Sequence, residues 1–303
     1  MKVLITGGKG FIASCLHKYL KDKYIAYAPS KQELDLCDSD AVYHYLHRHF
    51  FDVVVHVANY DGMTRYTTKD RNLILDRNLR MCFNLTNNRH LFDRLIHIGS
   101  GAEYNFEELN KFDIDTPRES HDNLCLPNDP YGLSKYAISQ YLRLSDFAMV
   151  LRLFGIYGPA ENWKIKFISN ACCRHLCGLP ITIKQDRYMN YVYIYDLCKI
   201  IDIFLSHNCK HNIYNICQDN TISLTKIVKY IQERSTSPAK VNILKDGFGL
   251  GYNGSNKQLR EELPDFVFTN YKSGIEKLYE YYRQNSFMYD PEFLKHQQIR
   301  SEQ

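Results

Sequence analysis

Tyr131 and Lys135 lie four residues apart in Tyr131-Gly132-Leu133-Ser134-Lys135, a spacing that sets them one turn apart on a single helix face. A free tyrosine has a pKa near ~10 and is a poor acid or base at neutral pH. A lysine ammonium one turn away favours the phenolate and lowers that value, so Tyr131 can pass a proton to or from a carbinol oxygen. Ser100, after an apolar run that ends at Gly99, can hydrogen-bond the same oxygen while its charge changes. In a chain with 24 tyrosines the Tyr-x-x-x-Lys spacing alone says little. Its weight comes from Ser100, 31 residues upstream and just beyond a strand end.

The N-terminus supplies the other half of such a reaction. Thr6-Gly7-Gly8-Lys9-Gly10-Phe11-Ile12-Ala13 follows a short β-branched run and opens a helix. Glycine allows a tight turn, lets the backbone approach a pyrophosphate, and aims helix N-terminal amides at the negative charge. Gly7, Gly10, Phe11 and Ile12 are thus candidate dinucleotide contacts, with Ala13 in place of the usual third glycine. NAD sites place an acid on the ribose 2′-hydroxyl about 20 residues further on. Here the second strand runs out into Ala28-Pro29-Ser30-Lys31, and Asp35 and Leu36 come later, by the adenine. Ser30 and Lys31 suit a 2′-phosphate, so NADPH is preferred and NAD is the alternative, in which Lys31 is only a solvated turn residue. The cationic nicotinamide would then reinforce the effect of Lys135 on Tyr131.

The elements that must position these residues alternate. Strands are predicted at 2–5, 24–28, 51–58, 94–99 and 148–153, with helices at 11–21, 39–50, 71–90 and 131–144 between them. The run Phe51-Asp52-Val53-Val54-Val55-His56-Val57-Ala58 is apolar almost throughout, as a parallel strand covered on both faces requires. This alternation predicts an α/β fold built on a doubly wound parallel Rossmann sheet. After Pro159 the pattern is less regular, with helical pieces near 164–177, 196–206, 223–234 and 271–284. The division predicted is a dinucleotide-binding domain over 1–151, with some elements returning to it later, a smaller α/β substrate domain over 152–285, and a fraying polar tail at 286–303.

Composition sets outer bounds. The 303 residues are 45% hydrophobic and 24% charged, a globular balance, and a net charge of +4 does not mark a nucleic-acid binder. No apolar run approaches ~18 residues, which argues against a membrane helix. The ten cysteines include no C-x-x-C and no second pair near Cys172-Cys173 at zinc spacing, and with no secretory leader ahead of them they are expected to be reduced thiols in the cytoplasm. His44, His47 and His49 are read as solvated residues of a surface helix, so no metal is expected.

Taken together the motifs resemble the extended short-chain dehydrogenase/reductase family, the nucleotide-sugar epimerases, dehydratases and reductases. The resemblance covers about residues 1–284 and follows the family's order of motifs. It rests on Thr6 to Ala13, His56-Val57-Ala58-Asn59, Asn78 six residues before Asn84, and Gly99-Ser100-Gly101-Ala102-Glu103-Tyr104. Tyr131 with Lys135, Arg152-Leu153-Phe154-Gly155-Ile156-Tyr157-Gly158-Pro159 and Asn190-Tyr191-Val192-Tyr193-Ile194-Tyr195-Asp196 complete it. It implies that Ser100, Tyr131 and Lys135 are catalytic, that Asn78 supports them, and that Val57, Ala58 and Asn59 line the cofactor. A nucleotide-diphosphate-sugar substrate and a homodimer are implied as well.

Three chemistries share that scaffold. Dehydratases of the family carry an Asp-Glu pair directly after the serine or threonine, where this chain has Gly101 and Ala102. GDP-fucose synthase carries a cysteine at the place of Ala102 and a histidine soon after its Gly-Pro, whereas here Asn162-Trp163-Lys164-Ile165-Lys166 follows and the next histidine is His175. The leading expectation is therefore reduction of a 4-keto, usually 6-deoxy, nucleotide sugar by NADPH. An NAD-dependent 4-epimerase is the second reading, and a silent cofactor-binding regulator the third. Gly101 and Ala102 would border the sugar. Lys166, Arg187 and Arg260 are candidates for the substrate end, the arginines because guanidinium forks match phosphate oxygens, and each is equally readable as a surface residue. Gly247 to Gly254 is read as a loop over the substrate cleft.

Overall fold

The alternation read from the sequence becomes, in the computed structural model, a run of β1 (Lys2–Ile5), α1 (Phe11–Leu20), β2 (Ile25–Tyr27), α2 (Ser39–His49), β3 (Phe51–His56), α3 (Ile74–Thr86), β4 (Phe92–Ser100), α4 (Phe106–Lys111), α5 (Pro130–Leu142) and β5 (Ala148–Leu153). Then come β6 (Gly155–Tyr157), α6 (Phe167–Leu176), β7 (Ile181–Asp186), β8 (Tyr188–Met189), β9 (Tyr191–Tyr193), α7 (Ile194–Ser206) and β10 (Ile213–Ile216). The last elements are β11 (Ile222–Ser223), α8 (Leu224–Gln232), β12 (Val241–Phe248), α9 (Lys257–Glu262), α10 (Tyr271–Gln284) and α11 (Pro291–Ile299). The structure describes residues 1–61, 69–111 and 126–299.

Two units form. The first holds Met1–Phe154, Leu197–Cys217 and Gly254–Phe266, and its centre is a parallel sheet ordered β10-β5-β4-β3-β1-β2. This is the doubly wound α/β sheet the alternation predicts. Val53, Val54 and Val55 of β3 are all buried, which is why that strand reads as a continuous apolar run and not as an alternating one. Strand order reverses at β1, whose neighbours are β2 and β3, so the crevice at the carboxyl ends of β1 and β3 is the topological switch point. Thr6 closes that junction. Its hydroxyl oxygen accepts the Val57 and Ala58 amides at 3.0 Å each and meets His56 Nδ1 at 3.0 Å.

The second unit holds Gly155–Asp196, Gln218–Asn253 and Val267–Gln303. Its core gathers Ile168, Ile183, Ile227, Ile231, Ile275 and Leu278 from α6, β7, α8 and α10, with Leu294 fully buried among them. Here the structure departs from the sequence reading. Residues 291–299 form α11 instead of a frayed tail, because its few apolar side chains find partners. The Phe293 ring meets Trp163 edge-on at 5.5 Å, and Arg174 Nη2 donates to the Leu294 carbonyl at 3.1 Å. Of the Gly247–Gly254 segment read as a loop, Gly247 and Phe248 instead close β12, paired in parallel with β7, and residues 249–254 lie outside helix and strand apart from a single bridge between Tyr252 and Met189.

Leu294→Ala should loosen α11 and destabilise the second unit by about 2–4 kcal/mol, the cost of a buried leucine truncation. Limited proteolysis reads this directly: cleavage between 285 and 299 should accelerate in the variant, and equal rates would mean that α11 is not docked.

Candidate active site

The glycine-rich turn connects β1 to α1. Gly7 adopts φ +73°, in the left-handed region, and a Cβ there would lie 3.0 Å from the Ala58 Cα. Gly8 sits still closer to the second strand's exit, its amide donating to the Pro29 carbonyl at 3.0 Å. Gly10 is the N-cap of α1 and supplies no side-chain cap, and the first turn carries no acid. The first amides of α1 are therefore left to an anion, and the Asn59 Oδ1 is buried with no hydrogen-bond partner among the described residues. Backbone closeness and an uncapped helix start fit a dinucleotide pyrophosphate along Gly7, Gly10, Phe11 and Ile12, while the orphaned Asn59 oxygen, an acceptor, with Val57 and Ala58 beside it, fits a donor such as a ribose hydroxyl of the same cofactor. A bound nicotinamide dinucleotide would supply the hydride there.

At the adenine end Ser30 is buried and its amide donates to Glu33 Oε2 at 2.7 Å, so the turn is held by its own glutamate. Lys31 is exposed and pairs across one turn with Asp35 at 3.5 Å. Leu36 is buried, and its carbonyl accepts Asn84 Nδ2 at 2.9 Å, which gives the second asparagine of the Asn78–Asn84 pair a role in fixing this loop.

Ser100 ends β4, and α5 carries Tyr131 and Lys135. The start of α5 is dictated locally: Asp129 caps it, accepting the Tyr131 and Gly132 amides at 3.0 and 2.9 Å, and Pro130 takes the first-turn place where a missing N–H costs nothing. Gly132 allows the helix to close on the neighbouring turn, for a Cβ there would stand 2.5 Å from the Ala102 carbonyl oxygen. Lys135 Nζ donates to the Ile98 carbonyl at 2.8 Å and lies 6.0 Å from the Tyr131 ring centroid. Asn78, fully buried on α3, accepts the Tyr60 amide at 2.8 Å and donates to Ser134 Oγ at 3.1 Å. It thus braces α5 against the loop after β3.

The electrostatics correct one expectation. In the free protein the net shift of the Tyr131 phenol is upward. Burial pushes Tyr131 up to about 12, against a downward pull from the Ser100 hydroxyl, and Asp61, Glu103 and Asp129 push it further up. Burial lowers Lys135 to about 8, with Glu103 drawing it back. Both groups lose water before they gain each other, so desolvation outweighs attraction. The phenol is therefore protonated at neutral pH, the form that can donate to a carbonyl oxygen.

The two neighbouring histidines add no charge. His56 and His97 are fully buried with rings 5.1 Å apart; burial holds His56 down to about 3 and His97 well below the usual histidine range. Among the described residues no group of three or more His, Cys, Asp or Glu is placed to hold a metal. The functional neighbours that motif reading passed over are Asp129, Thr6 and Glu103. Each had a signal: Asp129-Pro130 is a helix-start pair, Thr6 precedes the glycines, and Ser100-x-x-Glu103 is a capping-box spacing.

The remaining candidates lie apart in character. Arg260 donates from Nη1 to the Phe266 carbonyl at 2.5 Å, which commits it to the turn after α9. Lys166 is exposed at the N-cap of α6. Arg187 is half-buried, with its Nε lacking a hydrogen-bond partner among the described residues, so of the three it is the side chain best placed to take up an anion. Gly101 and Ala102 present backbone: Ala102 N donates to Ser100 Oγ at 3.1 Å.

The Lys135 value can be checked without substrate. Its ammonium should titrate near pH 8 in a ζ-nitrogen NMR experiment, while surface lysines titrate above pH 10. Because the folded value is depressed, the unfolded chain binds this proton in the window from about 8 to ~10.4 and the folded one does not, so stability rises with pH there. A Lys135 midpoint at 10 or above would overturn the assignment.

Comparison with known proteins places this geometry. A dTDP-D-glucose 4,6-dehydratase of Dictyostelium discoideum is 28% identical over 270 residues, 76% of this chain and 61% of that protein, so this chain spans less than two thirds of its length. A dTDP-4-dehydro-6-deoxyglucose reductase of Escherichia coli is 24% identical over 277 residues, 79% of this chain and 83% of that protein. The fold superposes with a TM-score of 0.80 on the Thermotoga maritima UDP-glucose 4-epimerase with UDP-glucose, at 18% identity, covering 94% of this chain and 100% of that one. Other solved structures of the fold hold NAD or NADP. The profile of the NAD dependent epimerase/dehydratase family matches residues 3–217, the span that carries the glycine turn, Ser100, Tyr131 and Lys135, and the chain belongs to that family.

Proposed function

We propose that the protein is an NADPH-dependent reductase of a 4-keto, 6-deoxy nucleotide-diphosphate sugar. The observation that carries this is the pairing of a protonated Tyr131 with a serine hydroxyl, in a site whose next two residues offer only backbone. Ser100 and Tyr131 both direct a donor to one ketone oxygen, and Tyr131 gives up its proton as that oxygen becomes an alcohol. Lys135, one turn on, is a cation beside the phenolate that remains. Elimination of water would need an acid and a base next to Ser100. Gly101 and Ala102 have neither, and Glu103 is committed to Arg152 at 2.6 Å. This weighs against dehydration although several relatives are named as dehydratases.

NADPH is favoured over NAD by Ser30 and by Lys31, whose pairing with Asp35 is exposed and so of little energetic weight against a 2′-phosphate. Arg187 of the second unit would take the diphosphate, and Lys166 of that unit and Arg260, which the fold puts in the first unit and not in the substrate domain read from the sequence, would have lesser parts. We further propose a cytoplasmic homodimer, with the exposed Phe83 and Tyr141 rings of α3 and α5, 5.2 Å apart, at its centre. A 4-epimerase with retained NAD is the second reading, and the fold shared with UDP-glucose 4-epimerase is what favours it.

Tyr131→Phe should lower kcat with a nucleotide 4-keto-sugar by about a hundredfold or more while NADPH affinity holds; near-wild-type turnover would remove the catalytic assignment. Wild-type protein should bind NADPH more tightly than NADH, and Lys31→Ala should narrow that gap. Equal affinities before mutation, or stoichiometric NAD carried through purification, would turn the reading toward the epimerase.

A further inference from the structure

Glu103 is a buried carboxylate that the proton transfer itself does not use, and it stands three residues after Ser100. The structure assigns it the part of a positioning residue: Glu103 clamps the Ser100 main chain, and with it the aim of the Ser100 hydroxyl toward Tyr131, while Arg152 holds the carboxylate from the other side. This deepens the reductase reading and rests on it.

Both halves of a capping box are made at this turn. The Ser100 amide donates to Glu103 Oε1 at 3.0 Å, and the Ala102 amide donates to Ser100 Oγ at 3.1 Å. With one lone pair of Oγ engaged from behind, the hydroxyl hydrogen is left to point at the phenol or the ketone oxygen. The other carboxylate oxygen, Oε2, accepts Arg152 Nε at 2.6 Å, and Arg152 Nη1 donates to Tyr104 Oη at 2.9 Å. Tyr104 Oη donates in turn to Asn215 Oδ1 at 3.0 Å, which anchors the network on β10. Gly99 makes room for it, since a Cβ there would lie 2.5 Å from Glu103 Oε1.

Stability alone does not explain such a pair. Arg152 and Glu103 are both fully buried, and apolar residues of similar volume commonly serve a core as well or better. A carboxylate does what an aliphatic side chain cannot: it accepts the Ser100 amide and the Arg152 guanidinium at once, with two oxygens in fixed geometry. Its charge also acts at short range on Tyr131 and Lys135, raising both.

Two variants test this. Glu103→Gln can give its single oxygen to Ser100 or to Arg152 but not to both. It should lower kcat by about tenfold with KM and NADPH affinity within about twofold. The pH limb set by Tyr131 and Lys135 should move to lower pH, as should the Tyr131 midpoint in a ¹³Cζ-tyrosine NMR titration assigned with Tyr131→Phe. The double variant Glu103→Leu with Arg152→Met removes the buried charges together and guards against misfolding. It should melt cooperatively, exchange its Ser100 amide faster than wild type, and remain slow in turnover. Wild-type kcat and an unmoved Tyr131 midpoint in Glu103→Gln, or wild-type kcat and Ser100 protection in the double variant, would overturn the assignment. If wild-type protein reduces no 4-keto-sugar with either cofactor, the reductase reading falls. The amide exchange and the Tyr131 titration then still decide whether Glu103 holds Ser100.

Discussion

A lysine on a helix tied to a strand carbonyl is the contact on which the site turns. Lys135 Nζ reaches the Ile98 carbonyl at 2.8 Å, and in doing so fixes α5 to the last turn of β4. Ser100 is two residues beyond that carbonyl, and Tyr131 is one helical turn before that lysine. Their meeting is therefore a consequence of one bond and of the space that makes it possible. Gly132 provides the space: any side chain there would run into the Ala102 carbonyl, and the helix would stand off from the strand end. Asn78 secures the same helix from α3, so that α5 is held on two sides by buried polar contacts.

Burial gives these groups their chemical character. A phenol and an ammonium in water would titrate near ~10 and above, far from one another's influence. Removed from water, the phenol is harder to ionise and the ammonium harder to charge, and the two values move apart. The free site therefore stores a proton on Tyr131 at neutral pH and leaves Lys135 within reach of either state. Around them His56 and His97 stay neutral, so the field at the site is governed by Lys135, Glu103 and Arg152. A dinucleotide at the uncapped start of α1 would bring its own charge into that field.

Much of the first unit was legible because its signals are local. The β-branched run before Gly7, the continuous apolar stretch at Val53 to Val55, and the helix start at Asp129-Pro130 each follow from residue type and spacing. The second unit was less so. Short strands such as β8 and β11, of two residues each, carry no periodicity to read. Residues 291–299 look polar in sequence and still form α11, because a single leucine, Leu294, and a ring contact from Phe293 suffice once a receiving surface exists. Arg260 and Arg187 are alike in sequence as phosphate candidates. They part in the fold, where one is spent on a backbone carbonyl and the other keeps a buried Nε without a hydrogen-bond partner among the described residues.

By itself the sequence determined the alternation of strands and helices as far as β5, the glycine turn and the one-turn spacing of Tyr131 and Lys135, since these depend on backbone geometry within a few residues. The tertiary structure decided the protonation of that pair, since desolvation depends on what packs around a group and not on its neighbours in the chain. It also decided the use of Glu103. Read along the chain, Glu103 is one more acid after a serine. Only when β5 brings Arg152 beside β4 does its carboxylate gain a second partner and become fixed against Ser100.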